Sequence, residues 1–322
     1  MDDYLYRDFK EKNSGKKIVI LYGNCHATAF RKLLEQYPPF IEQYAIFPIK
    51  AIQDVREASY FRQDCFSDCD VLIHQSIQKN NRYGEEFASE SVLKRLKKGC
   101  EIISVPNVYH LPLCFFPQYI GKDEFKNRKG FTIFFRDEIV DDAYSAGLSV
   151  DEIAKRYLSP STYSAERLEQ LFDLFMSKIR RREVDWDVKV ESFICSNVTN
   201  HRLFYDPNHP TNFFVLYVVK EILKLLGVEI DENTLERANP FLLDTFEMPI
   251  CESVYQHWGM RFERKKIRTS GIGLYNNLDL EEYIRKYSSL EWHNKEIDYS
   301  KRVSSFASWM KYNLEYRLRE IF

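Results

Sequence analysis

Short apolar runs alternating with helical stretches govern what the first hundred residues can become. Residues 17–22 (KIVILY) are β-branched and follow a Gly-Lys-Lys turn, the pattern of a buried strand. A tight turn at Gly23-Asn24-Cys25 comes next. Ala27, Phe30, Leu33, Leu34 and Tyr37 then recur at helical spacing, and Pro38-Pro39 is expected to stop that helix. Residues 44–49, 70–74 (DVLIH) and 101–105 (EIISV) read as further strands. A helix end at 91–98 stops at Gly99. Strands that alternate with helices demand a parallel sheet covered by helices, so the expected class is α/β with an N-terminal parallel-sheet core of Rossmann-like type.

Beyond about residue 135 the pattern turns helical. Segments 152–157, 165–182 and 212–226 are the clearest helices. The last is apolar on all sides, hence buried, with Pro210 suited to its first turn and Gly227 as its stop. The expected organisation is an N-terminal arm (1–15), an α/β catalytic domain (16–245) with a helical insertion at about 135–190, and a helical C-terminal extension (246–322).

With 46 basic against 48 acidic residues the formal charge is −2, so no global basic field exists to hold nucleic acid. The densest apolar stretch, 213–219, is far shorter than the roughly 20 residues a membrane span needs. Residues 1–13 are polar and acidic, unlike a signal peptide. The seven cysteines are odd in number, and Cys65 and Cys69 have no second pair or spaced histidine to complete a zinc site. A cytoplasmic protein with reduced thiols and no metal is expected.

Two short segments carry chemistry. Cys25 follows a strand and opens a helix. Ligands of open α/β sheets bind at the carboxyl ends of strands, and a helix N-terminus stabilises a thiolate or an oxyanion. Gly23 is expected to permit the tight turn. Later, Asp206-Pro207-Asn208-His209-Pro210-Thr211-Asn212 places His209 just before a helix. The helix N-terminus would keep its imidazole neutral and basic, with Asp206 fixing the tautomer. Purely structural roles stay open: a Cys packed between strand and helix, and Asp206 and Asn208 as helix caps.

A strand-turn nucleophile early and D-x-x-H-P late resembles the layout of SGNH/GDSL hydrolases, with Cys25 in the position of Ser. Gln75-Ser76-Ile77-Gln78 stands where the oxyanion Asn block of those enzymes would be. The combination G-N-C before a helix, D-V-L-I-H-Q with Arg82-Tyr83-Gly84 after it, V-P-N-V-Y, F-F-P-Q-Y and R-L-F-Y-D-P-N-H-P-T-N is more closely similar to the WcbI family of polysaccharide-biosynthesis proteins. It covers roughly residues 16–120 and 190–228. His26 stands where many relatives have Gln.

The resemblance implies coenzyme A, or acetyl-coenzyme A, as co-substrate and acetyl transfer to a carbohydrate acceptor of capsular or surface polysaccharide. It implies Cys25, His209 and Asp206 as catalytic residues, and Gly23, Asn24, His26, Gln75, Arg82 and Asn107 on the coenzyme side. Among these, Gln75 could bind an acyl oxygen and Arg82 a coenzyme phosphate. Asn107 and His110 could face the same cleft, and His74 should face away from it. Three basic clusters, 94–98, 178–182 and 261–268, are candidates for the coenzyme phosphates, or are simply solvated helix faces. A cysteine-dependent esterase or deacetylase and a non-catalytic carbohydrate-binding protein remain as alternatives. Oligomeric state is not legible.

Overall fold

The computed structural model describes residues 3–55, 65–108, 112–122, 135–238, 243, 246–263, 267–271 and 274–288. Its centre is a parallel sheet of four strands in the order β2-β1-β3-β4, formed by β1 (Lys17–Tyr22), β2 (Tyr44–Ile46), β3 (Val71–Gln75) and β4 (Glu101–Val105). The expected α/β class is observed. Alternation along the strands explains why both faces are covered. Val19, Leu21, Val71, Ile73, Ile103 and Val105 point into the larger core. Ile18, Ile20, Tyr22 and Leu72 point into a second core on the other face.

Helix α2 (Cys25–Leu34) follows β1, and α3 (Pro38–Gln43) leads into β2. Pro38 and Pro39 open α3 rather than end α2, because a proline in the first turn has no hydrogen bond to lose. The second strand is shorter than the expected 44–49: Phe47 still donates to Val19, but Pro48 has no N–H to offer. The third is shifted by one residue, which brings Gln75 into the sheet opposite Val105. Helix α4 (Ser89–Leu93) ends well before Gly99. Arg95 and Leu96 bond to carbonyls three residues back, so the chain tightens into turns there.

A small antiparallel pair, β5 (Tyr119–Lys122) and β6 (Phe135–Asp137), precedes α5 (Glu138–Ser145), α6 (Val150–Tyr157), α7 (Ala165–Glu183) and α8 (Glu191–Asn197). Helix α9 (Asn212–Leu225) buries Phe214, Val215, Val218, Val219, Ile222 and Leu223 and packs on α2 and β4. Gly227, at φ +67°, closes it. Pro210 is not in its first turn. It forms an isolated bridge with Phe204, and Thr211 is the cap.

After α10 (Glu232–Arg237) and α11 (Glu252–His257), the segment expected to be wholly helical contains a hairpin, β7 (Ile267–Gly271) with β8 (Leu274–Leu278), before α12 (Leu280–Ser288). The hairpin residues, IRTSG and LYNNL, are poor in helix formers and are joined through Gly271-Ile272-Gly273, which favours a turn between strands. Tyr283, Ile284 and Tyr287 of α12 enter the main core beside α5 and α6. The N-terminal α1 (Asp3–Lys12) contributes Tyr6 to the second core. No helix among the described residues is long and apolar enough to cross a membrane.

Candidate active site

The strand order reverses direction at β1: β2 lies on one side and β3 on the other. The crevice at the carboxyl ends of β1 and β3 is therefore the topological switch point, where open α/β sheets bind ligands. Residues 23–25 leave β1 there. The backbone N–H of Asn24 donates to Gln75 Oε1 at 2.8 Å, and Gln75 Nε2 donates to the Pro106 carbonyl at 3.0 Å. Gln75 is fully buried. Its amide thus ties the ends of β1, β3 and β4 together, and the turn before Cys25 is held from below.

Gly23 serves this turn through space rather than conformation. Its φ is not in the left-handed region. A Cβ there would collide with Gln75 Oε1 and press on Ala27 Cβ at 3.0 Å. Asn24 caps α2, accepting from the His26 N–H at 2.9 Å, and its Nδ2 donates to Asn107 Oδ1 at 3.2 Å. Asn107 stands just past β4. Cys25, partly exposed, is the first residue of α2.

The second half of the site is the loop 204–210. It is closed by the Phe204–Pro210 bridge and by Tyr205 N–H to the His209 carbonyl at 2.9 Å. Asp206 is buried in it. Its Oδ1 accepts from the N–H groups of Asn208 and His209, at 2.7 and 3.0 Å, and its Oδ2 meets His209 Nδ1 at 2.8 Å. Asp206 therefore both turns the loop and orients the imidazole. The Cys25 sulfur also acts on His209, favouring its charged ring. Cys25, His209 and Asp206 are thus brought together, the residue types of a Cys–His–Asp triad.

His26 joins the two halves. It is buried, and its Nε2 lies 2.6 Å from the Asn208 carbonyl, so it is the protonated nitrogen of a neutral ring. Burial, opposed by that carbonyl and reinforced by the charge on His209, lowers its pKa to about 3. Its ring lies 6.5 Å from that of His209. It braces the loop against α2.

The expectation of a neutral His209 is corrected. Helix α9 begins at Asn212, so His209 is upstream of its N-terminus and does not feel its first turn. Burial opposes the charged ring, but the Asp206 carboxylate and the Cys25 sulfur outweigh it and push the pKa up to about 10. His209 carries a proton at neutral pH.

Eight of the nine residues singled out in the sequence thus lie in one chain of contacts: Gly23, Asn24, Cys25, His26, Gln75, Asn107, Asp206 and His209. Arg82 is exposed on the loop leaving β3, its guanidinium over the Tyr83 ring at 4.8 Å. His74 is buried beside Gln75. His110 lies outside the described residues. Sequence reasoning missed the roles of the Pro106 and Asn208 carbonyls, because a backbone acceptor leaves no residue-type signal. Arg182, within the 178–182 cluster, donates through Nη1 to the Asn107 carbonyl at 3.0 Å, a contact that no spacing in the sequence indicates.

The comparisons show the family and the fold. The family model described as polysaccharide biosynthesis enzyme WcbI matches residues 18–231. A solved structure of WcbI, described as a novel polysaccharide biosynthesis enzyme, superposes with a TM-score of 0.67 at 17% identity, covering 84% of this chain and 90% of that one. It is described as native protein without the disulfide bond between coenzyme A and one of its cysteines. No curated protein matches.

Proposed function

We propose that this chain, which belongs to the WcbI family of polysaccharide biosynthesis enzymes, transfers an acetyl group from coenzyme A to a hydroxyl of a sugar intermediate. The observation that carries the reading is the Cys25–His209–Asp206 triad at the switch point of the sheet. Coenzyme A enters through the WcbI structure described with reference to it. This chain's own residues fit such a ligand: a partly exposed thiol at a helix N-terminus, and the buried Asn208 Oδ1, which has no hydrogen-bond partner and can accept an amide N–H of the pantetheine arm.

In this reading Cys25 Sγ bonds to the acyl carbon as the thioester C–S bond breaks. The proton shared by the pair is held on His209 and passes from there to the departing thiolate. The acceptor hydroxyl next gives its proton to His209 as its oxygen takes the acyl carbon, and the Cys25–acyl bond breaks. His209 keeps that proton, which restores the starting state of the pair. The α2 N-terminus faces the developing oxyanion. Gln75 and Asn24 act by holding that turn, since both ends of the Gln75 amide are engaged. All seven cysteines are free thiols, which suits the cytoplasm, where acetyl-coenzyme A is available.

Calorimetric titration with coenzyme A and acetyl-coenzyme A, followed by mass spectrometry of the acetyl-coenzyme A-treated protein, tests this. Binding and a single added acetyl group, lost in Cys25→Ala, are expected. Absence of binding, with turnover of aryl esters that needs no coenzyme, would overturn the transferase in favour of an esterase.

A further inference from the structure

Arg202 opens the segment R-L-F-Y-D-P-N-H-P-T-N that carries Asp206 and His209. Its side chain keeps only 18% of its exposure. Nε donates to the Phe204 carbonyl at 2.9 Å, and Nη2 donates to the Tyr205 and Met248 carbonyls at 3.0 and 2.6 Å. Nη1 pairs with Oε1 of the buried Glu247 at 2.9 Å. One planar fork therefore grips both the two residues before Asp206 and the segment at 247–248. The Met248 N–H completes the junction by donating to the Tyr205 carbonyl at 2.8 Å. Burial lowers the guanidinium pKa, and Glu247, Tyr205 and Asp206 oppose this. An arginine in such a place stays charged.

The loop 204–210 cannot orient itself. Asp206 fixes its inner shape through the N–H groups of Asn208 and His209. Thr211 closes its neck, donating from Oγ1 to the Arg202 carbonyl at 2.8 Å and from its N–H to the Leu203 carbonyl at 2.9 Å. These bonds all lie within residues 202–211, so they set no relation to α2, where Cys25 stands. Contacts that leave the loop must do that. His26 of α2 at the Asn208 carbonyl is one. The Arg202 junction with Glu247 and Met248 is another.

We propose that Arg202, anchored by Glu247, is a positioning residue of the active site: its fork sets the tilt of the loop 204–210 and with it the approach of His209 to Cys25. The proposal rests on the Cys25–His209 chemistry above and extends it to a residue that touches neither Cys25 nor the reacting groups. A lysine cannot take this place. Its ammonium is one point charge, whereas the fork presents five N–H groups in fixed directions, here to four acceptors on two chain segments. The role is therefore one of geometry and not of charge alone. Geometry of this kind is demanding, since misplacing a reacting group by about 1 Å can cost on the order of 10²-fold in rate.

The test is the pH profile of Cys25 alkylation by iodoacetamide in the full chain, read by mass spectrometry of the Cys25 peptide, with urea midpoints measured alongside. It needs neither coenzyme nor acceptor. His209→Ala defines the profile of the thiol without its histidine, and the parent should react faster than that variant at pH 7. Arg202→Lys should lose most of this difference while it remains folded. In acetyl transfer its kcat should fall on the order of 10²-fold, with KM for acetyl-coenzyme A unchanged. A merely structural Arg202 would lower the urea midpoint and leave the Cys25 profile of the folded variant where it was, and that result overturns the proposal. Should Arg202→Lys not fold, Glu247→Gln decides. It keeps an acceptor for Nη1 but removes the charge that anchors the fork, so an intermediate profile is expected and a parent profile overturns the proposal. A parent protein that transfers no acetyl group overturns the transferase, while the alkylation profile still decides the role of Arg202. Equal profiles in the parent and His209→Ala overturn both.

Discussion

At the scale of single residues, the site depends on a few atoms whose alternatives are excluded by space or charge. Gly23 is one. Adding a Cβ forces Gln75 Oε1 away from the Asn24 N–H. Gly23→Ala should destabilise the fold by roughly 1–3 kcal/mol, the usual cost of overpacking, and lower turnover with it. A urea titration paired with an acetyl-transfer assay checks both. Asp206 is another. Replacing it by Asn keeps a hydrogen-bond acceptor but removes the charge that sustains the imidazolium. Asp206→Asn should bring the His209 pKa from about 10 back toward 6.5, read by NMR titration of the ring. Turnover should fall on the order of 10²–10⁴-fold, the range for loss of an oriented acid–base. An unmoved His209 titration would show that Asp206 does not set its charge.

At the scale of elements, the site is where α2 meets the loop 204–210, and His26 is the joint. The two histidines make opposite demands on pH. The unfolded chain protonates His26 near 6.5, whereas the native protein resists until about 3. The unfolded state therefore binds the extra proton, and stability declines as pH drops from about 6.5 toward 3. For His209 the native state holds its proton up to about 10. Its contribution is complete below 6.5 and is lost as pH rises through 10. Denaturant midpoints should thus fall between pH 7 and pH 5 in the parent protein. The fall should be smaller in His26→Gln, where an uncharged N–H can still reach the Asn208 carbonyl. An equal acid loss in that variant would move the cause elsewhere. Packing anchors the same joint: α9 presses its buried face, Phe214 and Val218 included, on α2 and β4.

At the scale of the whole molecule, the described residues from 246 to 288 are bound to the elements that precede them. Arg202, next to the active loop, pairs with Glu247 at 2.9 Å and donates to the Met248 carbonyl at 2.6 Å. Tyr157 and Tyr283 donate to the buried Asp137, and Tyr287 donates to Asp141 at 3.2 Å. A chain ending at residue 245 would lose Glu247 and the three core side chains of α12. At about 2–5 kcal/mol for each large core residue, this exceeds what a fold stable by about 5–15 kcal/mol can lose. The truncated chain should show no cooperative thermal transition by circular dichroism. A sharp transition near that of the full chain would make 246–322 a separable domain. Residue pattern alone determined the parallel α/β core, the position of Cys25 at a strand's carboxyl end, and the Asp206–His209 pair, because each is written in local periodicity or short spacing. Only the tertiary structure decided that His209 is charged, that Gly23 makes room for Gln75, that His26 holds the Asn208 carbonyl 182 residues away, and that α7 ends at Asn107, against the turn before Cys25. Those outcomes depend on which distant groups become neighbours, and the electrostatics and sterics of a buried site are set by its neighbours.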